Sequence, residues 1–204
     1  MSKPFANFDE EISLWVQGFD FVAGVDEVGR GAWAGPLVAA AVVFPKNIKF
    51  PEKLYDSKLL KPRTREELSK LIYQNAYSVS IGVSGVSFIN NFGVGKANHK
   101  ASRKAVRGLS IEPQRILVDA FYIKQLKRNI QKPIKKGDRV CASIAAASIV
   151  AKVYRDSLMR RLSRLYPVYG FGANKGYGTK FHQDAIKTSN LSSVHRKSFN
   201  LPLV

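Results

Sequence analysis

Apolar positions recur along the chain in distinct rhythms, and each rhythm predicts an element. Phe21-Val22-Ala23-Gly24-Val25-Asp26-Glu27-Val28 is a short apolar run closing on two acids, and Leu37 to Phe44 is a second run without one polar residue. Runs of this length predict buried strands, separated here by the turn Gly29-Arg30-Gly31. Thr64 to Ala76 switches to helical spacing through Leu68, Leu71 and Ile72 after the breaker Pro62. Tyr77 to Val86 then alternates Val79, Ile81 and Val83 with serine and glycine, the period of a third strand. Ala97 to Leu109 reads as a basic helix, and Arg115-Ile116-Leu117-Val118-Asp119 as a short buried strand entered through Pro113, followed by a lysine-rich segment. Ser143 to Leu165 is the longest helical pattern. Its first half is rich in alanine, which suits close packing on a sheet, and its second half is rich in arginine and ends before Pro167. Gly170 to Gly178 has the composition of a loop, and a polar, basic tail follows. No repeat, heptad run or low-complexity tract is present. The order of elements predicts an α/β fold with a mixed central sheet flanked by helices.

Composition narrows the classes. With 204 residues, 45% hydrophobic and 24% charged, the chain is a folded protein of one or two domains. No apolar run approaches the roughly 20 residues that cross a bilayer. Met1 to Asp20 carries Asp9, Glu10 and Glu11 and lacks the layout of a secretory signal, so a cytoplasmic location is expected. One cysteine and three histidines, at 99, 182 and 195, exclude an internal disulfide and a structural zinc site. Cys141, in a small-residue helix start, reads as a packed hydrophobe.

Charge changes the picture most. Lys and Arg number 33 against 15 Asp and Glu, a net +18 that points to a polyanionic partner, nucleic acid ahead of an anionic membrane. Past Glu67 the only acids are Glu112, Asp119, Asp138, Asp156 and Asp184. A buried carboxylate in that half needs a reason.

Asp26 and Glu27 sit at the end of an apolar strand, where neighbours reach one site only if the strand ends or twists. Asp119 ends another apolar strand, a poor place for an unpaired carboxylate unless it faces a site. Asp138, after Lys135-Lys136-Gly137, reads either as a cap of the long helix or as a fourth member of the acid set. Four carboxylates make the oxygen-rich environment that Mg²⁺ or Mn²⁺ prefers, and two such ions about 3.5–4 Å apart suit phosphodiester hydrolysis. Gly24 to Arg30 has the gap of a phosphate-binding loop, but Arg30-Gly31 replaces its Lys and Ser/Thr, which excludes that nucleotide site. His182 and His195 read as structural or phosphate-neighbouring groups rather than general bases. The arginines of 155–164 fit a nucleic-acid face or a solvated one.

Seven blocks in order resemble the ribonuclease HII family, the bacterial type 2 ribonucleases H. They are Gly24-Val25-Asp26-Glu27-Val28-Gly29-Arg30-Gly31, Asp56-Ser57-Lys58, Ile116-Leu117-Val118-Asp119, Gly137-Asp138, the run Ile144 to Lys152 with Arg155-Asp156, Gly176-Tyr177-Gly178-Thr179, and His195-Arg196-Lys197-Ser198-Phe199. The resemblance implies a ribonuclease H-like catalytic domain over 1–165 and a short, basic, partly helical extension over 166–204 that packs on it and completes the substrate site. It implies cleavage of the RNA strand of RNA–DNA hybrids and nicking at single ribonucleotides embedded in DNA, leaving 3′-hydroxyl and 5′-phosphate ends. Asp26, Glu27, Asp119 and Asp138 map onto the catalytic acids, which would hold two Mg²⁺ or Mn²⁺ ions in the substrate complex. Gly29-Arg30-Gly31 maps onto the element that reads the ribose 2′-hydroxyl, Tyr177 onto the aromatic that packs on the next deoxyribose, and Lys58 onto a phosphate contact. Asp156 maps onto a position that ligates no metal and reads as a partner for nearby arginines.

The chain departs from the family pattern at Ala32, where proline is usual, and at Trp33, where an aliphatic residue is usual, which points to a looser turn or a differently lined groove. It departs again at Ala120-Phe121, where glycine is usual after the acid. The expected acting unit is a monomer without a membrane partner, and no docking peptide for a sliding clamp is legible in Ser198 to Val204. A binding protein that has lost turnover, or a nuclease for another structured nucleic acid, are the alternatives; the intact acids argue against the first.

Overall fold

The computed structural model describes residues 5–201; residues 1–4 and 202–204, the outer ends of the segments read above for a signal and a docking peptide, lie outside it. Five strands, β1 (Val22–Val28), β2 (Leu37–Val43), β3 (Ser78–Ser84), β4 (Arg115–Asp119) and β5 (Gln131–Ile134), form one sheet in the order β3-β2-β1-β4-β5. Strands β1, β2 and β3 pair antiparallel, whereas β1, β4 and β5 pair parallel. The helices are α1 (Asp9–Val16), α2 (Pro62–Asn75), α3 (Val86–Arg107), α4 (Gly137–Val140), α5 (Ala142–Leu165), α6 (Phe171–Asn174) and α7 (Lys180–Ser189). The mixed α/β sheet is the expected one.

Strand β2 is buried along its whole length because helices cover both faces. Val38, Ala40 and Val42 pack with Leu68 and Ile72 of α2 and Ala145, Ala146 and Ile149 of α5. Leu37, Ala39, Ala41 and Val43 pack on the other face with Ala97, Ala101 and Ala105 of α3. The two-residue period thus divides one strand between two cores, and each fully buried Val or Leu contributes about 1.5–3 kcal/mol. Small residues set the spacing. A Cβ on Gly24 would lie 2.1 Å from the Ser143 backbone carbon of α5, and one on Gly82 would lie 1.9 Å from the Ala101 carbonyl oxygen of α3.

Four elements differ from the sequence reading. Helix α1 forms where the apolar pattern looks broken, because it buries only Glu11, Leu14 and Trp15. Strand β5 lies inside the lysine-rich segment as a sheet edge, where Pro133 is tolerated and Lys132 stays exposed. Helix α3 begins at Val86, well before Ala97, by continuing through a kink at Gly93, whose φ is 80°. The glycine-rich segment contains the short helix α6.

The cap of the long helix is also corrected. Asp138 lies inside α4 and makes no such cap, whereas the Glu11 carboxylate reaches across from α1 and accepts the Ser143 N–H at 2.7 Å. At the other end of α5, Tyr169, Phe171, Ala185 and Ile186 gather around Met159 and Ala34, which ties α6 and α7 to the body of the fold.

Candidate active site

The acids converge because of the sheet register. The parallel ladder runs from Val22–Arg115 to Val25–Val118, so the next residues along the two central strands are Asp26 and Asp119. On the other side of β1, pairing with β2 continues to Val28–Val38. A crevice therefore opens between β1 and β4 at their carboxyl ends, the usual place for a ligand in an open α/β sheet. Asp26 follows Gly24 toward α5, where the Ser148 hydroxyl engages it, and Glu27 follows Ala23 and Val25 toward α3, where the Asn98 side chain engages it. The two neighbours do point to opposite faces, and the open end of the strand lets both reach one cavity of about 690 Å³. Asp119, Gly29, Arg30, Gly31, Lys58 and Tyr177 line the same cavity.

Asp138 stands at the rim rather than in the cavity lining. Its carboxylate lies 3.3 Å from Lys58 Nζ, and Gly137 beside it donates its N–H to Asp119 Oδ1 at 2.8 Å. Asp56, to which the sequence reading gave no role, is buried beneath Lys58. It accepts the Lys58 N–H at 3.0 Å and pairs with Arg139 Nε at 3.3 Å. The Asp-x-Lys spacing of a side chain accepting an N–H two residues on is the signal that could have found it.

Charge in the crevice is unbalanced. Burial, with the Glu27 and Asp119 carboxylates adding to it, pushes Asp26 well above the ordinary carboxylate range. Burial also raises Glu27, against the pull of Asn98, Arg30 and Lys58, and raises Asp119, with Asp138 and Asp56 adding to the shift. For Lys58, burial lowers the pKa, but Asp138 and Asp56 outweigh it and the ammonium is held more tightly charged. Among the described residues no three carboxylate, imidazole or thiol groups enclose an ion as they stand. The donor set fits a hard divalent cation nonetheless: its groups are all oxygens, they share one crevice, and mutual repulsion leaves them short of positive charge.

The Gly29-Arg30-Gly31 turn is built from behind. Gly29 has φ 91°, and a Cβ there would lie 2.1 Å from Arg155 Nε. Arg155 donates to the carbonyls of Pro36, Ala34 and Lys175 at 2.9–3.1 Å. Arg196 donates to the carbonyls of Gly35 and Arg30, both at 3.0 Å. Both guanidinium groups are fully buried. Asp156 pairs with Lys152 at 2.6 Å and with Arg65 at 3.8 Å, so the arginine it meets comes from α2, while Arg155 beside it in sequence is given over to backbone carbonyls. Of the 155–164 face, Arg155 is core, while Arg160 is exposed and pairs with Glu66.

Neither departure in the turn loosens it. Ala32 is fully buried and its N–H returns to the Gly29 carbonyl at 3.3 Å. Trp33 packs on Gly178 and His182, clamping the chain beyond α5 rather than lining the cavity. Below it His182 and His195 face each other, with Nε2 to Nε2 at 3.0 Å. Ser192 N–H donates to His195 Nδ1 and His182 Nδ1 reaches the Tyr177 carbonyl, so both rings are neutral and His195 Nε2–H donates to His182. The pair is structural and anchors the backbone of Tyr177. Cys141 is fully buried and its thiol lies 3.2 Å from Glu11 Oε1.

A crevice of acids at the carboxyl ends of central parallel strands, rimmed by cations, defines a metal-dependent enzyme that hydrolyses phosphodiesters. The model of the ribonuclease HII family matches residues 23–201, and the chain belongs to that family of endoribonucleases. It is 46% identical to the ribonuclease HII of Ligilactobacillus salivarius over 189 residues, which are 93% of this chain and 73% of that one. It is 45% identical to the ribonuclease HII of Clostridioides difficile over 183 residues, 90% of this chain and 71% of that one. Among solved structures, the ribonuclease H2 of Pyrococcus horikoshii superposes with a TM-score of 0.73 at 25% identity, covering 89% of this chain and 95% of that one. The fold extends to Bst-RNase HIII, solved in complex with Mn²⁺, with a TM-score of 0.64 at 20% identity over 89% of this chain and 68% of that one.

Proposed function

We propose that this protein cleaves the RNA strand of RNA–DNA hybrids and nicks duplex DNA at single embedded ribonucleotides, leaving 3′-hydroxyl and 5′-phosphate ends. The observation that carries the reading is the juxtaposition of Asp26 and Asp119 at the open end of the β1–β4 ladder, in one cavity with the Gly29-Arg30-Gly31 turn and Tyr177. Asp26, Glu27, Asp119 and Asp138 would hold two Mg²⁺ or Mn²⁺ ions, which supply an activated water and charge for the leaving oxygen.

The remaining work falls to the chain's own groups. Glycines on either side of Arg30 let the backbone approach the ribose 2′-hydroxyl, the group that separates RNA from DNA. The Arg30 side chain, 53% exposed, and the Lys58 side chain, 72% exposed, reach solvent at the crevice mouth, where each can meet a backbone phosphate while still facing its carboxylate partners. Tyr177, 38% exposed at the cavity wall, offers a ring to the following deoxyribose. In this reading residues 166–204 are an extension of a catalytic domain over 1–165 and complete its substrate site. One chain carries every residue named, so the proposed unit is a monomer. No helix among the described residues is long and apolar enough to cross a membrane, and the cytoplasm is the proposed place of action.

The test is cleavage of a DNA duplex with one ribonucleotide beside a full RNA–DNA hybrid, with Mg²⁺, with Mn²⁺ and with chelator. Metal-dependent nicking at the single ribonucleotide is expected, and Asp119→Asn should abolish it while leaving binding. Cleavage of the hybrid alone would remove the junction reading. Binding of both without cleavage of either would favour a non-catalytic protein. The rate at subsaturating substrate should fall steeply with salt, because phosphate contacts release counterions.

A further inference from the structure

A second, smaller cavity of about 330 Å³ adjoins the acid crevice, and of the residues lining it only Arg30 has a substrate-contact role in the assignments made so far. Arg30, Asn98, His99, Phe121, Tyr122 and Lys124 line it. It is continuous with the crevice through shared residues, since Arg30 lines both cavities and a narrow cleft between them is lined by Glu27, Asp119, His99 and Phe121. No carboxylate lines the smaller cavity. The positive field there registers on His99, whose pKa is lowered first by burial and then by Lys124, Arg103 and Arg30.

The aromatic at its edge is displayed by backbone geometry. Ala120 has φ 62°, and the Phe121 N–H returns to the Asp119 carbonyl at 2.8 Å, a three-residue turn that leaves the ring 63% exposed. The Arg30 guanidinium lies 5.9 Å from the ring centroid. An exposed ring beside Arg30, whose carboxylate contact is the long 4.0 Å one to Glu27, and beside Lys124, joined to the crevice, matches a sugar–phosphate backbone: anionic at one end and apolar on the sugar face.

We propose that this cavity is a substrate subsite, in which a backbone phosphate of the RNA–DNA duplex sits between Arg30 and Lys124 and the adjoining sugar packs on Phe121. The subsite rests on the nuclease reading and adds a second grip on the strand beyond the cleaved bond. Because the grip lies away from the reacting phosphate, it holds ground and transition states alike and governs KM rather than kcat.

The experiment measures steady-state cleavage of three hybrids: one extending well past the cleaved bond on both sides, and two shortened, each on one side. Phe121→Ala should raise KM about three- to tenfold on the long hybrid with kcat unchanged, and do the same on only one shortened hybrid. Lys124→Ala should lower the slope of log kcat/KM against log salt by about 1, the loss of one phosphate contact. Tyr73→Ala, on the outer turns of α2, serves as the exposed-aromatic control and should match the parent. Parent kinetics from Phe121→Ala and Lys124→Ala on every hybrid would overturn the subsite, as would an equal loss on all three. Failure of the unsubstituted protein to cleave any hybrid would instead overturn the nuclease reading itself.

Discussion

Ala120 shows how one residue can carry strain next to a site. A side chain at φ 62° crowds its own carbonyl and costs about 1–2 kcal/mol, which glycine avoids. Glycine also loses more freedom on folding, so Ala120→Gly should stabilise the protein by a net of about 0.5–1 kcal/mol, readable as a higher midpoint in urea at an unchanged slope. Asp26 carries strain of another kind. Its ionisation is opposed by burial and by two neighbouring carboxylates, so Asp26→Asn in chelator should raise Tm by about 2–4 °C, the shift that roughly 1 kcal/mol produces in a chain of this size. The same substitution should cost most of the activity, and a fall in Tm would show that the Ser148 contact outweighs the repulsion. Asp26, Glu27 and Asp119 were legible because an acid closing an apolar strand has no packing explanation. Asp56 was not, because a buried acid that caps a turn looks like any polar loop residue until Arg139 and Lys58 are seen to converge on it.

At the level of elements, the turn over 29–36 is shaped by its supports. Arg155 comes from α5 and Arg196 from the segment after α7, and together they occupy five carbonyls, four of them in the turn and its exit. Neither has a carboxylate partner among the described residues, so although both fall within blocks of the family resemblance, charge and spacing alone do not separate them from the solvated arginines around them. Arg196→Lys keeps a charge but loses the planar fork, and should lower kcat/KM by about tenfold and stability by about 1–2 kcal/mol, measured by kinetics beside thermal melts. An unchanged kcat/KM with lower stability would make Arg196 a support of the fold alone. The strands were legible because periods of apolar residues survive burial on both faces. Helix α1 and strand β5 were not: the first buries three residues, and the second is an edge whose pattern is charge and proline.

At the level of the whole molecule, pH acts through the His182–His195 pair. Burial, with His182 beside it, lowers His195 to about 4, and burial lowers His182 too, so between about 4 and 6.5 the unfolded chain binds protons that the folded one refuses. Stability from His195 is therefore complete above about pH 6.5 and is lost as pH falls toward 4, by up to about 3 kcal/mol. The buried carboxyls, raised in the fold, act in the opposite direction over the same range, so the readout is the difference between proteins: the stability gap between wild type and His195→Gln should narrow as pH falls from about 6.5 to about 4, and a gap constant over that range would count against the neutral pair. Charge, the α/β class and the path of the chain could all be read from composition and periodicity. The placing of the last stretch could not be read from them, since besides its contacts with its own neighbours it is fixed by hydrogen bonds to the distant 29–36 turn. Arg196 closes on the Arg30 carbonyl across 166 residues. During synthesis, then, the turn cannot be clasped until Arg196, made 166 residues after Arg30, has left the ribosome, so a growing chain surrounded by RNA lacks the finished groove.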